Sequence, residues 1–356
     1  MKITNGAMES KTSNIEIGFM DHVNSEELLS HSSLHPCVFH YVKSDNAFTR
    51  KARLLQALRR YQTGADCGSF EKDNITYFHP NLAKDGQITG CNFLSHEIFD
   101  YAKDRIKRKE PYETIREDRL FNNFLSSQPM AFNLFHPLME MVKSEDNQIT
   151  LANAVSDQID KDKNLGIKRI DKVGIEFIPD YYEHCLNDKT AMDAYFRYTT
   201  ANGKNGIIAI ETKYTDKLGK KQASKPSFAI KTATEREGVA QLFTTQAKKE
   251  ILNGEIELSQ VYRNFLLTET VRLYEHLDES LSIVVAPKEN KSNKKDEEKL
   301  SKALNEDYKY KFQVIDLETF VDALMKAFPE EPIFQKFWHR YLDFRPVELI
   351  QTELGL

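Results

Sequence analysis

The run Ile207-Ile208-Ala209-Ile210-Glu211-Thr212-Lys213-Tyr214 constrains this chain more than any other segment. Its apolar, β-branched residues read as a strand, and alternation sends Ala209, Glu211 and Lys213 to one face and Ile208, Ile210 and Thr212 to the other. A carboxylate and an amine thus emerge together from a mostly apolar strand. The run AMDAYFRYTT (191–200) reads as its neighbour, and the intervening Ala201-Asn202-Gly203-Lys204-Asn205-Gly206 carries turn chemistry. In an antiparallel hairpin, Asp193 and Glu211 are centred on Asn202. A loop with an odd number of residues there sets the two acids directly across from each other, with Cβ atoms about 4.5–5.5 Å apart. A two-residue Asn202-Gly203 turn instead brings Asp193 opposite Thr212.

Two carboxylates that close repel unless a cation lies between them. Mg²⁺ or Mn²⁺ suits the spacing, because these hard ions take carboxylate, carbonyl and water oxygens and also accept a phosphate oxygen. Lys213, two residues on, could lower the pKa of an attacking water or offset charge on a pentavalent transition state.

The rest of the sequence narrows the setting. Its 356 residues suit one elaborated domain or two, and 40% hydrophobic with 29% charged residues is the composition of a globular protein rather than a disordered one. A net charge of -5 argues against coating nucleic acid by bulk electrostatics, but a local basic groove remains compatible with it. Cys37, Cys67, Cys91 and Cys185 form no CxxC pair, which disfavours a zinc ribbon or redox dithiol and fits free thiols in a reducing cytoplasm. The first residues lack an apolar core and no run approaches ~18 apolar residues, so a soluble cytoplasmic protein without membrane contact is expected. Neither a Walker-type loop nor a GxSxG elbow is present, so ATP use would have to come from a partner.

Along the chain, HPCVFHYV (35–42) reads as a short strand and the run from Thr49 as a helix ending near Gly64. Residues 94–110 read as a helix with Ser95 as N-cap, stopped by Pro111. Residues 115–142 give two helical runs broken between Ser126 and Pro129, and 143–148 a linker. Extended runs follow at 174–182, 191–200 and 205–214, then helices at 236–252 and 259–277, and a buried strand at 281–287. Residues 288–307 read as a solvated loop or exposed helix, and 310–328 as strand then helix. Lys217, Lys220, Lys221 and Lys225 form a basic loop behind the catalytic strand, which either grips a phosphate backbone or is simply solvated.

A helix, a three-strand meander with an acid and a Glu-x-Lys, a helix and a further strand together resemble the restriction-endonuclease-like PD-(D/E)xK nuclease superfamily. The resemblance spans about residues 112–287. The phrase Arg119-Leu120-Phe121-Asn122-Asn123-Phe124-Leu125-Ser126-Ser127-Gln128-Pro129, followed by Phe132-Asn133-Leu134-Phe135, is similar to a hallmark of a poorly characterised bacterial branch of that superfamily. The resemblance implies an α/β fold with a mixed central sheet flanked by helices. On it, residues 1–110 are expected as a largely helical N-terminal extension and 111–356 as the nuclease-like domain.

It also implies a Mg²⁺- or Mn²⁺-dependent nuclease, acting on DNA in preference to RNA. Asp193, Glu211 and the main-chain carbonyl of Thr212 are the implied metal ligands, and Lys213 the residue that assists catalysis. Glu117 is the implied additional acid from the first core helix, with Asp118 as its competitor. Gln260 and Arg263 are the implied polar residues near the scissile phosphate. Met192 stands where the superfamily has Pro, and the literal Pro179-Asp180 lies too far from Glu211 for a simple hairpin partner, so Asp180 ranks second. The rival expectation is a non-catalytic nucleic-acid-binding or assembly module on the same fold, with room for a homo-oligomer or a partner protein.

Overall fold

The computed structural model describes residues 42, 44–72, 75–160, 165–215, 227–255, 260–291 and 294–354. Of the strand expected at 35–42, only Val42 lies among them. Helix α1 (Ala47–Gln62) is capped by Asn46, whose side-chain oxygen accepts from the Thr49 amide at 2.7 Å. It stops just before Gly64, where φ is +71°. The antiparallel pair β1 (Cys67–Lys72) and β2 (Ile75–Ala83) follows, so the described part of the N-terminal region holds strands as well as helices. The single turn α2 (Gly86–Thr89) leads to α3 (His96–Lys107), which Ser95 caps as expected.

Helix α4 (Glu117–Asn122) and helix α5 (Ser127–Met141) are separated at 123–126, just before the expected break, with Ser126 accepting from the Gln128 amide at 3.2 Å and Pro129 in the first turn of α5. Residues 143–148 are not a linker. Ser144 stands at the N-cap position of α6 (Glu145–Ile159), which buries Leu151, Ala152, Val155 and Ile159 at helical spacing.

Five strands form one sheet in the order β3 (Ile167–Phe177), β4 (Met192–Thr200), β5 (Asn205–Thr212), β6 (Glu279–Ala286), β7 (Phe312–Asp316). The first three pair antiparallel, and β5 with β6 and β6 with β7 pair parallel. The parallel step from β5 to β6 is made by α7 (Phe228–Glu235), α8 (Thr245–Asn253) and α9 (Gln260–Tyr274). Helix α10 (Lys294–Ala303) occupies part of the charged stretch before β7, and α11 (Leu317–Ala327), α12 (Pro332–Tyr341) and α13 (Arg345–Leu354) complete the chain.

Two boundaries differ from the sequence reading. Strand β3 starts at Ile167 rather than Gly174, because it is an edge strand whose Lys168, Arg169, Asp171 and Lys172 dilute the apolar signal. The helix expected at 236–252 is confined to α8, since Gly238 takes φ +86° and Thr244 provides a new N-cap.

Both faces of the sheet are covered. Ala194, Phe196, Tyr198, Ile208, Ile210, Ile283 and Val285 share one core with α5, α6, α11 and α12. Tyr195, Ile207, Ala209 and Val284 pack against α7, α8 and α9 on the other face. The central strand β5 is accordingly buried from Gly206 to Thr212. Among the described residues, no helix is long and apolar enough to cross a membrane.

Candidate active site

The turn between β4 and β5 decides the register. The Thr200 amide donates to the Lys204 carbonyl at 2.9 Å, the Gly203 amide to the Thr200 carbonyl at 3.0 Å, and Gly203 adopts φ +77°. This is the odd-numbered loop centred on Asn202, and Ala194 pairs with Ile210. One step beyond that last pair, Asp193 falls opposite Glu211. Here the backbone ladder opens, and the Asp193 carboxylate takes over as acceptor. Its Oδ2 receives the Thr212 amide at 2.8 Å and the Thr212 hydroxyl at 2.9 Å.

Glu211 is 3% exposed and Lys213 5% exposed, so the alternation that places them on one face also takes both out of water. The Lys213 ammonium forms an ion pair with Glu211 Oε1 and donates to Gln260 Oε1 at 3.2 Å. Glu211 Oε2 accepts from Asn264 Nδ2, one helical turn beyond Gln260 on α9. Burial, then the facing charge of Asp193, pushes the Glu211 carboxyl up to about 8 against the pull of Lys213 and Asn264.

A further carboxylate joins this row. Ile175 pairs with Ala194 and Phe177 with Met192, so Glu176 on β3 falls opposite Asp193. Glu176 is buried and holds φ +51°. Its Oε1 accepts from Gln128 Nε2 at 2.8 Å, and its main-chain carbonyl accepts from Arg105 at 3.3 Å. Burial, then Asp193, raises its carboxyl to about 7, with Gln128 and Arg105 acting in the opposite direction. The phrase around Asn122 and Gln128 therefore has a physical role: α5 starts where Gln128 meets Glu176, and the Leu125 carbonyl accepts from the Thr215 hydroxyl at 3.2 Å, just past Lys213. Tyr214 is buried beside them, its hydroxyl accepting from Gln56 of α1 at 3.0 Å.

Other expected residues are placed elsewhere. Glu117 is solvent-exposed in the first turn of α4, and Asp118 beside it pairs with Arg116. Asp180 is exposed in the turn after β3. Arg263 is turned to the β3–β4 connection, where its guanidinium pairs with Asp188 and donates to the Thr190 hydroxyl at 3.0 Å. Lys217, Lys220, Lys221 and Lys225 lie outside the described residues. Sequence reasoning missed Glu176; it read Asn264 as part of one polar patch with Gln260 and Arg263, at about one-turn spacing, but took only those two as candidates.

The donors on offer are oxygens: Asp193, Glu211 and the main chain at Thr212. That set fits Mg²⁺ or Mn²⁺ better than a soft or imidazole-seeking ion. The carboxyls of Glu211 and of neighbouring Glu176 are raised by burial first and then by Asp193's charge, so added positive charge here would be favourable. Among the described residues, no three His, Cys, Asp or Glu side chains converge closely enough to hold an ion on their own. An ion here would keep part of its water shell, as Mg²⁺ does.

A mixed sheet with an antiparallel meander, helices on both faces and an acid-x-lysine pair at the end of its central strand defines a restriction-endonuclease-like core. A family model described as the PD-(D/E)XK nuclease superfamily matches residues 43–343, and the chain belongs to that superfamily. Neither the curated proteins nor the solved structures contain a match to the chain.

Proposed function

We propose that the protein hydrolyses phosphodiester bonds in DNA, with Mg²⁺ or Mn²⁺ held by Asp193, Glu211 and the Thr212 carbonyl. The observation that carries this reading is the opposition of Asp193 and Glu211 across β4 and β5, with Lys213 in contact with Glu211. A divalent ion there would supply Lewis-acid charge at the scissile phosphate and a water of lowered pKa. The Lys213 ammonium, beside Glu211, would position the attacking water and offset charge on the phosphorane oxygens. Glu176, opposite Asp193 and oriented by Gln128, takes the part of the additional acid that the sequence had assigned to Glu117. Gln260, which accepts from Lys213, would steer that lysine and the scissile phosphate, while Lys217, Lys220 and Lys221 would supply backbone contacts to the substrate.

The test is incubation of the full chain with linear and circular, single- and double-stranded DNA in Mg²⁺, Mn²⁺ or EDTA, alongside Asp193→Ala and Lys213→Ala. Metal-dependent cleavage by the wild type alone is expected. Cleavage of RNA in preference to DNA would change the substrate, and metal-independent binding without cleavage would make this a binding module.

A further inference from the structure

Helix α9 offers the site two carboxamides one turn apart. Gln260 presents an acceptor to the Lys213 ammonium, and Asn264 presents a donor to Glu211 Oε2. Glu211 and Lys213 contact each other at Oε1, so the two oxygens of Glu211 are divided between an ammonium and an amide. Without the amide, the carboxylate would be free to turn about its last torsion and give both oxygens to Lys213, which is the arrangement least available to a cation. Asn264 is itself 6% exposed, and its Oδ1 is buried with no hydrogen-bond partner among the described residues. A buried amide left half-satisfied is costly, so stability alone does not account for an asparagine between the buried Val261 and Phe265. Asn264 and Glu211 also line one small cavity with Met192, Ser282 and Phe312.

We infer that Asn264 is a positioning residue. By holding Glu211 Oε2 away from Lys213 it keeps the carboxylate oriented toward Asp193, and so sets the affinity of the pair for a divalent ion. This rests on the reading of Asp193 and Glu211 as the metal-binding acids. Groups that orient a metal-binding side chain typically change metal affinity or activity by about 10- to 100-fold when removed.

The experiment is Mn²⁺ titration of the full-length protein by calorimetry, with melting curves in EDTA, for wild type, Asn264→Leu, Asn264→Ala and Thr270→Val. Thr270 is buried on the same helix, its hydroxyl donates to the Leu266 and Leu267 carbonyls, and it serves as the structural control. Weakening of Mn²⁺ binding by about 10- to 100-fold in both Asn264 variants, with Thr270→Val binding as wild type, is expected. The two Asn264 variants differ in bulk, so a packing defect in one is exposed by the other. Wild-type Mn²⁺ affinity in a folded Asn264 variant, or losses that track the melting temperature equally in Thr270→Val, would overturn the inference. Absence of Mn²⁺ binding by wild type, or its persistence in Asp193→Ala, would instead remove the metal reading itself and the inference with it.

Discussion

Glu176 holds φ +51°, a conformation that costs an L residue about 1–2 kcal/mol, and it does so while buried opposite Asp193. Nothing about such a position favours a glutamate for stability. A glutamine would keep the shape and the contact with Gln128 while removing the charge that faces Asp193. Glu176→Gln is therefore expected to leave the melting temperature in EDTA unchanged or raised, and to lower the Mg²⁺-dependent cleavage rate about tenfold or more, as loss of a group stabilising the transition state would. Full activity with a lowered melting temperature would assign Glu176 to the fold alone. The contrast with Asp193, Glu211 and Lys213 shows what alternation can and cannot reveal. Those three were legible because a short turn ties the two strands and fixes their register. Glu176 was not, because the β3–β4 connection is long, and the register across it is set by packing rather than by spacing. Asn264 was passed over for a related reason: helical spacing put it in one polar patch with Gln260 and Arg263, but which of the three meets the sheet depends on how α9 is rotated against β5 and β6.

At the scale of elements, the central strands and the helices that follow them were read from apolar period and punctuation, and β6 and α11 stand close to where that period put them. The elements that were missed carry weak or mixed patterns. Helix α6 opens with the polar run Glu145-Asp146-Asn147-Gln148, which looks like a linker until its buried stripe is counted, and β1 and β2 carry polar and turn-forming residues among their apolar ones in the sequence. One junction gives an element-scale prediction. Between α12 and α13, Asp343 accepts from Arg345 Nε and Nη2, each at 2.7 Å, and lies 3.2 Å from His339 Nδ1. Burial pushes the Asp343 carboxyl up, but Arg345 and His339 outweigh it and hold the group at about 2, below its usual 3.8. A carboxyl lowered in the folded state adds stability that is fully present above pH 3.8 and is lost as pH falls through about 2. Asp343→Asn should therefore destabilise the protein at neutral pH by about 1–3 kcal/mol and flatten this part of its acid-unfolding profile. Urea unfolding at pH 7 and at pH values between 4 and 2 measures both, and a variant as acid-sensitive as wild type would show that other carboxyls dominate the range.

The whole molecule raises the question of where the catalytic unit begins. The sequence suggested an extension ending near Pro111, yet Phe48, Ala52, Phe93, Leu94, Ile98 and Phe99 belong to the same buried cluster as Phe132, Phe196, Ile210 and Tyr341. Gln56 of α1 also donates to the Tyr214 hydroxyl and to the Arg340 carbonyl at 2.7 Å, so the chain just past Lys213 is gripped by residues from both ends of the sequence. Fully burying a large apolar side chain contributes about 1.5–3 kcal/mol. Five such residues therefore rival the net stability of a whole domain, about 5–15 kcal/mol, before the surface they leave behind on Phe132 and Tyr341 is counted. A chain starting at Pro111 is accordingly expected to lose its cooperative melting transition and its near-ultraviolet circular dichroism, and with them metal-dependent cleavage. Gln56→Leu in the full chain, which keeps the bulk but removes both hydrogen bonds, should retain a cooperative transition lowered by about 1–3 kcal/mol. A truncated protein that melts cooperatively within a few degrees of the full chain would place the boundary at residue 111 and reduce α1 and α3 to accessories.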